Sequence, residues 1–351
     1  MKKILPTILL TGWTGNIGAE VARQLKGHRI RALVRSVAPS SDGVEIIAGS
    51  LQRIPEELTE DTEVIIHSAA DTSFRAPLEH LRAVNVEGTR NILDFAARCP
   101  RLRKVIHIST ACVSGDTTGR IPEDRLSRPA AFLNPYEQSK WEAEELVLLS
   151  NLPVQIVRLS IVAGSEADGS VHRPGALHHA LFWLWRGLIP MMPGTLEAPV
   201  DLISTEYAAS FITAAVDTPG YPRVIHACAG AQAPRLGELL DHLQTEFRAQ
   251  SAAWRSGAIL PPAIVDAQTF VLFEATVRQS GDALFLRVSE DAKSFLPSLL
   301  HPRVYATEHA RALNPQPIGD WRSLVRLVTR HAIHQHTQSN RVPVGAAASG
   351  E

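Results

Sequence analysis

Cysteine is scarce in this chain of 351 residues. Its three cysteines, Cys99, Cys112 and Cys228, form no CxxC pair and cannot build a disulfide framework, so a reducing, cytoplasmic setting is expected. Excess charge of either sign is missing as well. Lys plus Arg number 35 against 36 Asp plus Glu, a formal net charge of −1, which argues against a general nucleic-acid or anionic-membrane binder. No apolar run reaches the roughly 18 residues of a membrane-spanning helix. The longest candidate, Ala180 to Trp185, is cut by Arg186. The opening Met1-Lys2-Lys3 and Ile4 to Leu10 imitate a short signal peptide. They lead into a glycine turn without a small-residue cleavage site, and read as a first strand. Internal repeats are absent. No Cys or carboxylate completes a ligand set around His331-x-x-His334-x-His336 or His178-His179, so no metal is expected.

What is present is the balance of a soluble globular protein, 45% apolar and 20% charged. The length gives a prior of about two domains. Short apolar runs at Ile8 to Leu10, Ile30 to Val34, Val64 to His67, Lys104 to Ile108 and Val154 to Val157 read as buried strands. Helical stretches at Ile17 to Lys26, Leu78 to Arg98 and Tyr136 to Leu149 alternate with them. That rhythm implies right-handed βαβ units, hence an α/β fold with a doubly wound, Rossmann-like parallel sheet. Thr205 to Val216 and Val224 to Ala227 can complete the sheet late in the chain. Residues 1–165 with about 201–230 are expected to form the dinucleotide-binding domain. Segments 166–200 and 231–336, rich in Leu, Trp, His and Pro, are expected to form a smaller, mostly helical C-terminal substrate lobe. Residues 337–351 read as a flexible tail.

The first strand runs into Thr11-Gly12-Trp13-Thr14-Gly15-Asn16-Ile17-Gly18, with a helical pattern after it. In a strand-turn-helix, Gly12 permits the tight turn, Gly15 lets backbone N–H groups approach a pyrophosphate, and Gly18 lets the helix pack close to the strand. Enzymes that use NAD usually carry Asp or Glu at the end of the second strand to hold the ribose 2′-hydroxyl. Here that strand ends in Val34-Arg35-Ser36. With no acid present, and with the planar fork of Arg35 suited to a 2′-phosphate, NADP(H) is expected in preference to NAD(H).

Asn134-Pro135-Tyr136-Glu137-Gln138-Ser139-Lys140 reads as a helix start. Asn134 is the N-cap, Pro135 takes the first helical position, and Glu137 reaches back as in a capping box. Tyr136 and Lys140 then share a face at i and i+4. The ammonium and the positive helix end are expected to lower the tyrosine pKa toward neutrality, making Tyr136 a general acid for a carbonyl oxygen. Ser109-Thr110 ends the strand before it, where either hydroxyl could bind the same oxygen. Cys112, two residues on, is close to that site, although a nucleophilic thiolate there would need an activating base. The dense apolar stretch Leu181-Phe182-Trp183-Leu184-Trp185 reads as lobe core that also lines an apolar pocket, which makes Cys112, Trp183 and Trp185 candidate substrate contacts.

Taken together, Thr11-Gly12-x-x-Gly15-x-x-Gly18, His67-Ser68-Ala69-Ala70, Asn85-Val86-x-Gly88-Thr89, Ser109-Thr110 and Tyr136-x-x-x-Lys140 resemble the extended short-chain dehydrogenase/reductases over about residues 5 to 230. The resemblance implies that Tyr136 and Lys140 are catalytic and that Thr110, ahead of Ser109, is the assisting hydroxyl. It also implies that Asn85 supports the lysine or the helix around it, and that Thr14, Asn16, Ile17, Ala69, Ala70 and Lys140 line the cofactor. Stretches such as His67-Ser68-Ala69-Ala70-Asp71-Thr72-Ser73-Phe74 and Asn134 to Glu144 look most like the acyl-thioester and fatty-acyl reductase branch. That branch reduces carrier- or CoA-bound acyl groups with NADPH. Two positions depart from the family: Leu159 replaces the usual proline after arginine, and Ser50 an aspartate near the adenine. The expected substrate is hydrophobic and small, or tethered to a carrier or CoA; a homodimer stays open. The competing readings are a sugar-nucleotide epimerase or dehydratase, and a non-catalytic NAD(P)-sensing regulator.

Overall fold

A computed structural model of the chain describes residues 5–35, 43–218, 222–293, 295–313 and 317–339. Seven strands make one parallel sheet: β1 (Thr7–Thr11), β2 (Arg29–Val34), β3 (Val44–Ala48), β4 (Val64–His67), β5 (Lys104–Thr110), β7 (Val154–Leu159) and β11 (Val224–Ala227). Their spatial order is β11-β7-β5-β4-β1-β2-β3. Three short parallel pairs lie outside it: β6 (Gly119–Ile121) with β13 (Arg303–Tyr305), β8 (Ile161–Gly164) with β10 (Leu202–Ser204), and β9 (Met191–Pro193) with β12 (Ala263–Val265).

The sheet strands read as unbroken apolar runs because both faces are covered. Ile8, Leu10, Ile66, Ile106 and Ile108 pack against α1 (Asn16–Gln24) and α6 (Thr205–Asp217). The intervening Leu9, Ile65, Val105 and Ile156 pack against α3 (Glu87–Ala97) and α4 (Pro135–Leu149). This is the doubly wound, Rossmann-like architecture expected. The order reverses between β1 and β4, and ligands bind such sheets in the crevice at that reversal, beyond the strands' carboxyl ends. The strand β3 has no counterpart among the runs read from sequence. It is a half-exposed edge strand, so Val44-Glu45-Ile46-Ile47-Ala48 carries only a weak apolar signal.

The stretch expected as one helix from Leu78 to Arg98 is three segments: α2 (Leu78–Leu81), a π-helical turn over Arg82–Val86, and α3. Such turns recur at functional sites, and this one carries Asn85. Helix α4 begins as expected, with the Asn134 side chain accepting the Glu137 N–H at 3.0 Å and Pro135 in the first turn. The Glu137 carboxylate accepts the N–H of Leu133 at 3.0 Å instead of that of the cap residue. A buried ion pair, Arg158 to Glu144 at 2.7 Å, ties α4 to β7.

A second apolar cluster joins α5 (Ala176–Trp185), α7 (Leu236–Gln250), α8 (Ala252–Arg255), α9 (Ala267–Ser280), α10 (Ala283–Ala292) and α12 (Trp321–Ser339) through Leu181, Trp183, Leu240, Phe247, Trp254 and Val328. Within the C-terminal stretch, β13 pairs with β6, and α11 (Glu308–Leu313) sends Ala310 and Leu313 into the cluster of β1 and α6. Residues 337–339, expected in the tail, end α12; the rest of that tail lies outside the described residues. Among the described residues no helix is long and apolar enough to cross a membrane.

Candidate active site

The glycine turn sits where β1 ends beside β4. Gly12 holds φ +76°, and a Cβ there would lie 2.6 Å from the Ala69 nitrogen, so only glycine allows this approach. A Cβ on Gly18 would lie 2.3 Å from the Gly12 carbonyl oxygen, which explains the close seating of α1 on the turn. Gly15 is the N-cap of α1 and has no side-chain cap, leaving first-turn N–H groups open to an anion. Thr14 is exposed on the turn and Ile17 packs beneath it. Asn16 is turned away from the crevice chemistry: its amide group exchanges hydrogen bonds with the backbone of Arg173, at 2.9 and 3.1 Å. Thr11 accepts the N–H of Ala69 at 3.2 Å and pairs with the His67 ring at 2.8 Å, fixing Ala69 and Ala70 beside the turn. These residues fit a dinucleotide: a backbone cradle, an uncapped helix end, and Arg35 exposed at the end of β2 without an ion pair to any described residue. Ser36, named with Arg35, lies outside the described residues.

Across the crevice, β5 and α4 meet. Tyr136 is buried, with its phenol beside the Thr110 side chain. The Thr110 side-chain oxygen accepts the Cys112 N–H at 3.2 Å. Phe74 stacks on Tyr136 with ring centres 5.4 Å apart. Ser109, the other candidate hydroxyl, is buried with no partner among the described residues. Asn85 donates to the Ser139 hydroxyl and to the Asp71 carbonyl, both at 2.9 Å, and accepts the Asp71 N–H at 2.8 Å. It therefore stitches the loop after β4 to the turn of α4 that carries Lys140. Lys140 is 3% exposed, and its ammonium donates to the Ile108 carbonyl at 2.8 Å and the His107 imidazole at 3.3 Å.

The electrostatics differ from the expectation. Burial pushes the Tyr136 phenol well above its ordinary pKa, the neighbouring Cys112 and Glu137 push the same way, and the Thr110 side chain opposes them. Lys140 is not among the groups that set it, and its ammonium donates to β5. Tyr136 is thus a protonated phenol at neutral pH, the form a proton donor needs. Burial brings Lys140 down to about 8, opposed by Glu144. Burial also raises Glu137 to about 7 and lifts the Cys112 thiol, which disfavours a thiolate there.

Trp183 and Trp185 belong to the lobe cluster. Trp183 is buried, donates its indole N–H to Asp291 at 3.0 Å, and lies under Arg287. Trp185 is half-buried, with an indole nitrogen that has no partner among the described residues. The sequence reading missed Ser139 and Asp71 as partners of Asn85. Ser139 stands directly before Lys140, and only the packing of the π turn on α4 reveals its role.

Fold and site are similar to those of NAD(P)-binding proteins of the short-chain dehydrogenase/reductase type. Residues 50–212 match the profile of an NAD-binding family described as Male sterility protein. Over 240 residues the chain is 32% identical to the hybrid PKS-NRPS synthetase pydA of Acremonium sp, an alignment covering 60% of this chain and 6% of that protein. The chain spans about half or less of the curated relatives it matches first. The terminal R domain from the myxalamid PKS-NRPS biosynthetic pathway shares the fold at TM-score 0.77 and 23% identity, over 96% of this chain and 93% of that one. A thiolation-reductase di-domain from an archaeal non-ribosomal peptide synthetase follows at 0.70 and 19%, over 95% and 76%. UDP-glucuronic acid 4-epimerase from Bacillus cereus, in complex with NAD, gives 0.66 and 17%, over 94% and 99%. The chain resembles the extended short-chain dehydrogenase/reductases and, within them, the acyl-thioester and fatty-acyl reductase branch.

Proposed function

We propose that the chain uses NADPH to reduce the carbonyl or acyl thioester of a hydrophobic substrate, presented on a carrier or CoA. The observation that carries this reading is the meeting of a protonated Tyr136, beside Thr110, with a buried Lys140 one turn further along α4. When bound, the nicotinamide supplies the hydride. Tyr136 gives its proton to the carbonyl oxygen as negative charge builds there. Thr110 turns its hydroxyl to the same oxygen, and Lys140, tied to β5, holds the turn of α4 that carries Tyr136. For a thioester the sum is acyl thioester plus NADPH plus a proton giving aldehyde, free thiol and NADP⁺. Carrier presentation draws support from the thiolation-reductase di-domain of the same fold. The epimerase alternative draws only on shared fold at 17% identity, and a sensing regulator would have no need of the Tyr136–Lys140 pair. Buried, reduced Cys99 and Cys228 suit a cytoplasmic setting.

Within the lobe, Trp185 is the better substrate contact, since the Trp183 indole is already engaged. NADPH oxidation followed with decanoyl- and butyryl-pantetheine is expected to favour the longer chain. Trp185→Ala should raise KM for decanoyl roughly tenfold and change butyryl far less, because lost apolar contact scales with buried area. An equal rise for both, with a lower melting temperature, would assign Trp185 to the core. No oxidation of NADPH with either thioester, alongside turnover of a sugar nucleotide with NAD, would overturn the reductase reading.

A further inference from the structure

We infer that His107 is a positioning residue for Lys140: its neutral imidazole, together with the Ile108 carbonyl, holds the lysine ammonium in place for the chemistry at Tyr136. This rests on the reductase reading above. His107 and Ile108 are neighbours on β5, so one faces α4 and the other offers its backbone oxygen; the two acceptors lie 3.3 and 2.8 Å from the Lys140 nitrogen. His107 is 1% exposed, and water cannot replace it as an acceptor.

The groups facing this ammonium are few. From β4 comes His67, whose ring centre is 5.4 Å from that of His107, and whose nitrogens are engaged by Thr11 and Thr89. From α4 itself come Tyr136 and Glu144, and the Glu144 carboxylate is held by Arg158 of β7. Among the described residues no carboxylate hydrogen-bonds Lys140, so its direct partners are neutral acceptors and Glu144 supports its charge only at a distance. That demands an imidazole that never protonates. Burial, then Lys140, then His67 keep His107 well below its ordinary pKa. Since Nε2 accepts from the ammonium, the ring proton resides on Nδ1, which has no partner among the described residues. Such an orphaned buried donor is costly and persists where the other ring nitrogen has a task.

The chain has only six lysines, so the Lys140 side chain can be followed by ¹H–¹⁵N NMR, with Lys140→Met for assignment. The wild-type ammonium is expected to titrate near 8. In His107→Leu, one of its two acceptors is gone, and its midpoint should fall by about one pH unit, a tenfold change in the equilibrium. The pH at which NADPH affinity declines, read by fluorescence, should fall with it. His107→Gln, which keeps an acceptor, should restore both to within a few tenths of a unit. A His107→Leu protein that melts cooperatively yet leaves both midpoints unmoved would overturn the inference. The wild type alone supplies a second arm: its His107 ring should appear as the Nδ1–H tautomer and not titrate between about pH 5 and 9. An Nε2–H tautomer, or titration in that range, contradicts the inference whatever the variants do. Neither arm needs turnover, so a failure of the reductase reading would show separately, in an active Tyr136→Phe enzyme.

Discussion

Tyr136→Phe is expected to lower turnover by about 10²–10⁴-fold, the usual loss on removing a positioned general acid. NADPH affinity should stay nearly unchanged. The substitution deletes one oxygen from a side chain that burial, Phe74 and the first turn of α4 already hold in place, so the crevice keeps its shape. What disappears is the proton that burial keeps on the phenol at neutral pH. The comparison with Lys140→Ala separates the two roles. That variant should lose turnover and cofactor affinity together, because one buried ammonium ties the turn of α4 carrying Tyr136 to β5 and, by our reading, holds the ribose. Steady-state kinetics with a decanoyl thioester, beside fluorescence titration of NADPH, measure both quantities. Wild-type turnover in the Tyr136→Phe enzyme would remove the tyrosine from the mechanism.

Much of this site is legible in the amino-acid sequence. Asn134, Pro135 and the i, i+4 spacing placed Tyr136 and Lys140 on the first turns of one helix, because capping is a local property of the chain. Gly12 and Gly18 were legible for the same reason, each answering a close approach that excludes a side chain. The direction of the Lys140 ammonium was not legible. It depends on the packing of α4 against β5, which brings residues 33 and 32 positions apart in the chain into contact. The electrostatics were hidden for the same reason, since burial of the Tyr136 phenol, which raises its pKa, is set by long-range packing. The π turn at Arg82–Val86 was equally hidden, since its residues carry an ordinary helical pattern, and β3 was too exposed to read as a strand.

Arg35→Ala is expected to remove most of a preference for NADPH over NADH of very roughly 30- to 150-fold. Val34 and Arg35 close the second strand with no carboxylate to hold a 2′-hydroxyl or repel a 2′-phosphate, and Arg35 is exposed there without an ion pair to any described residue. Its guanidinium can make two charge-assisted hydrogen bonds to that phosphate, each contributing on the order of 1.5–3 kcal/mol before the cost of ordering the side chain. A net gain of about 2–3 kcal/mol corresponds to the stated preference. NADH affinity should be almost untouched, because the Gly12–Gly18 turn that receives the pyrophosphate is unchanged. Dissociation constants of both cofactors for both proteins decide the matter. A wild-type preference for NADH, or equal weakening of the two by Arg35→Ala, would place Arg35 on the shared adenosine or in the fold.

The central claim is that hydride passes from NADPH to the carbonyl carbon of an acyl group held beside Thr110 and Tyr136. Its most direct test is single-turnover reaction of the wild-type chain with NADPH dideuterated at C4 and decanoyl-pantetheine, with mass analysis of the released product. The account predicts one equivalent of free pantetheine thiol and one deuterium on C1 of the product for each NADPH oxidised. Thiol release without deuterium in the product, or no oxidation of NADPH in the presence of the thioester, would contradict it.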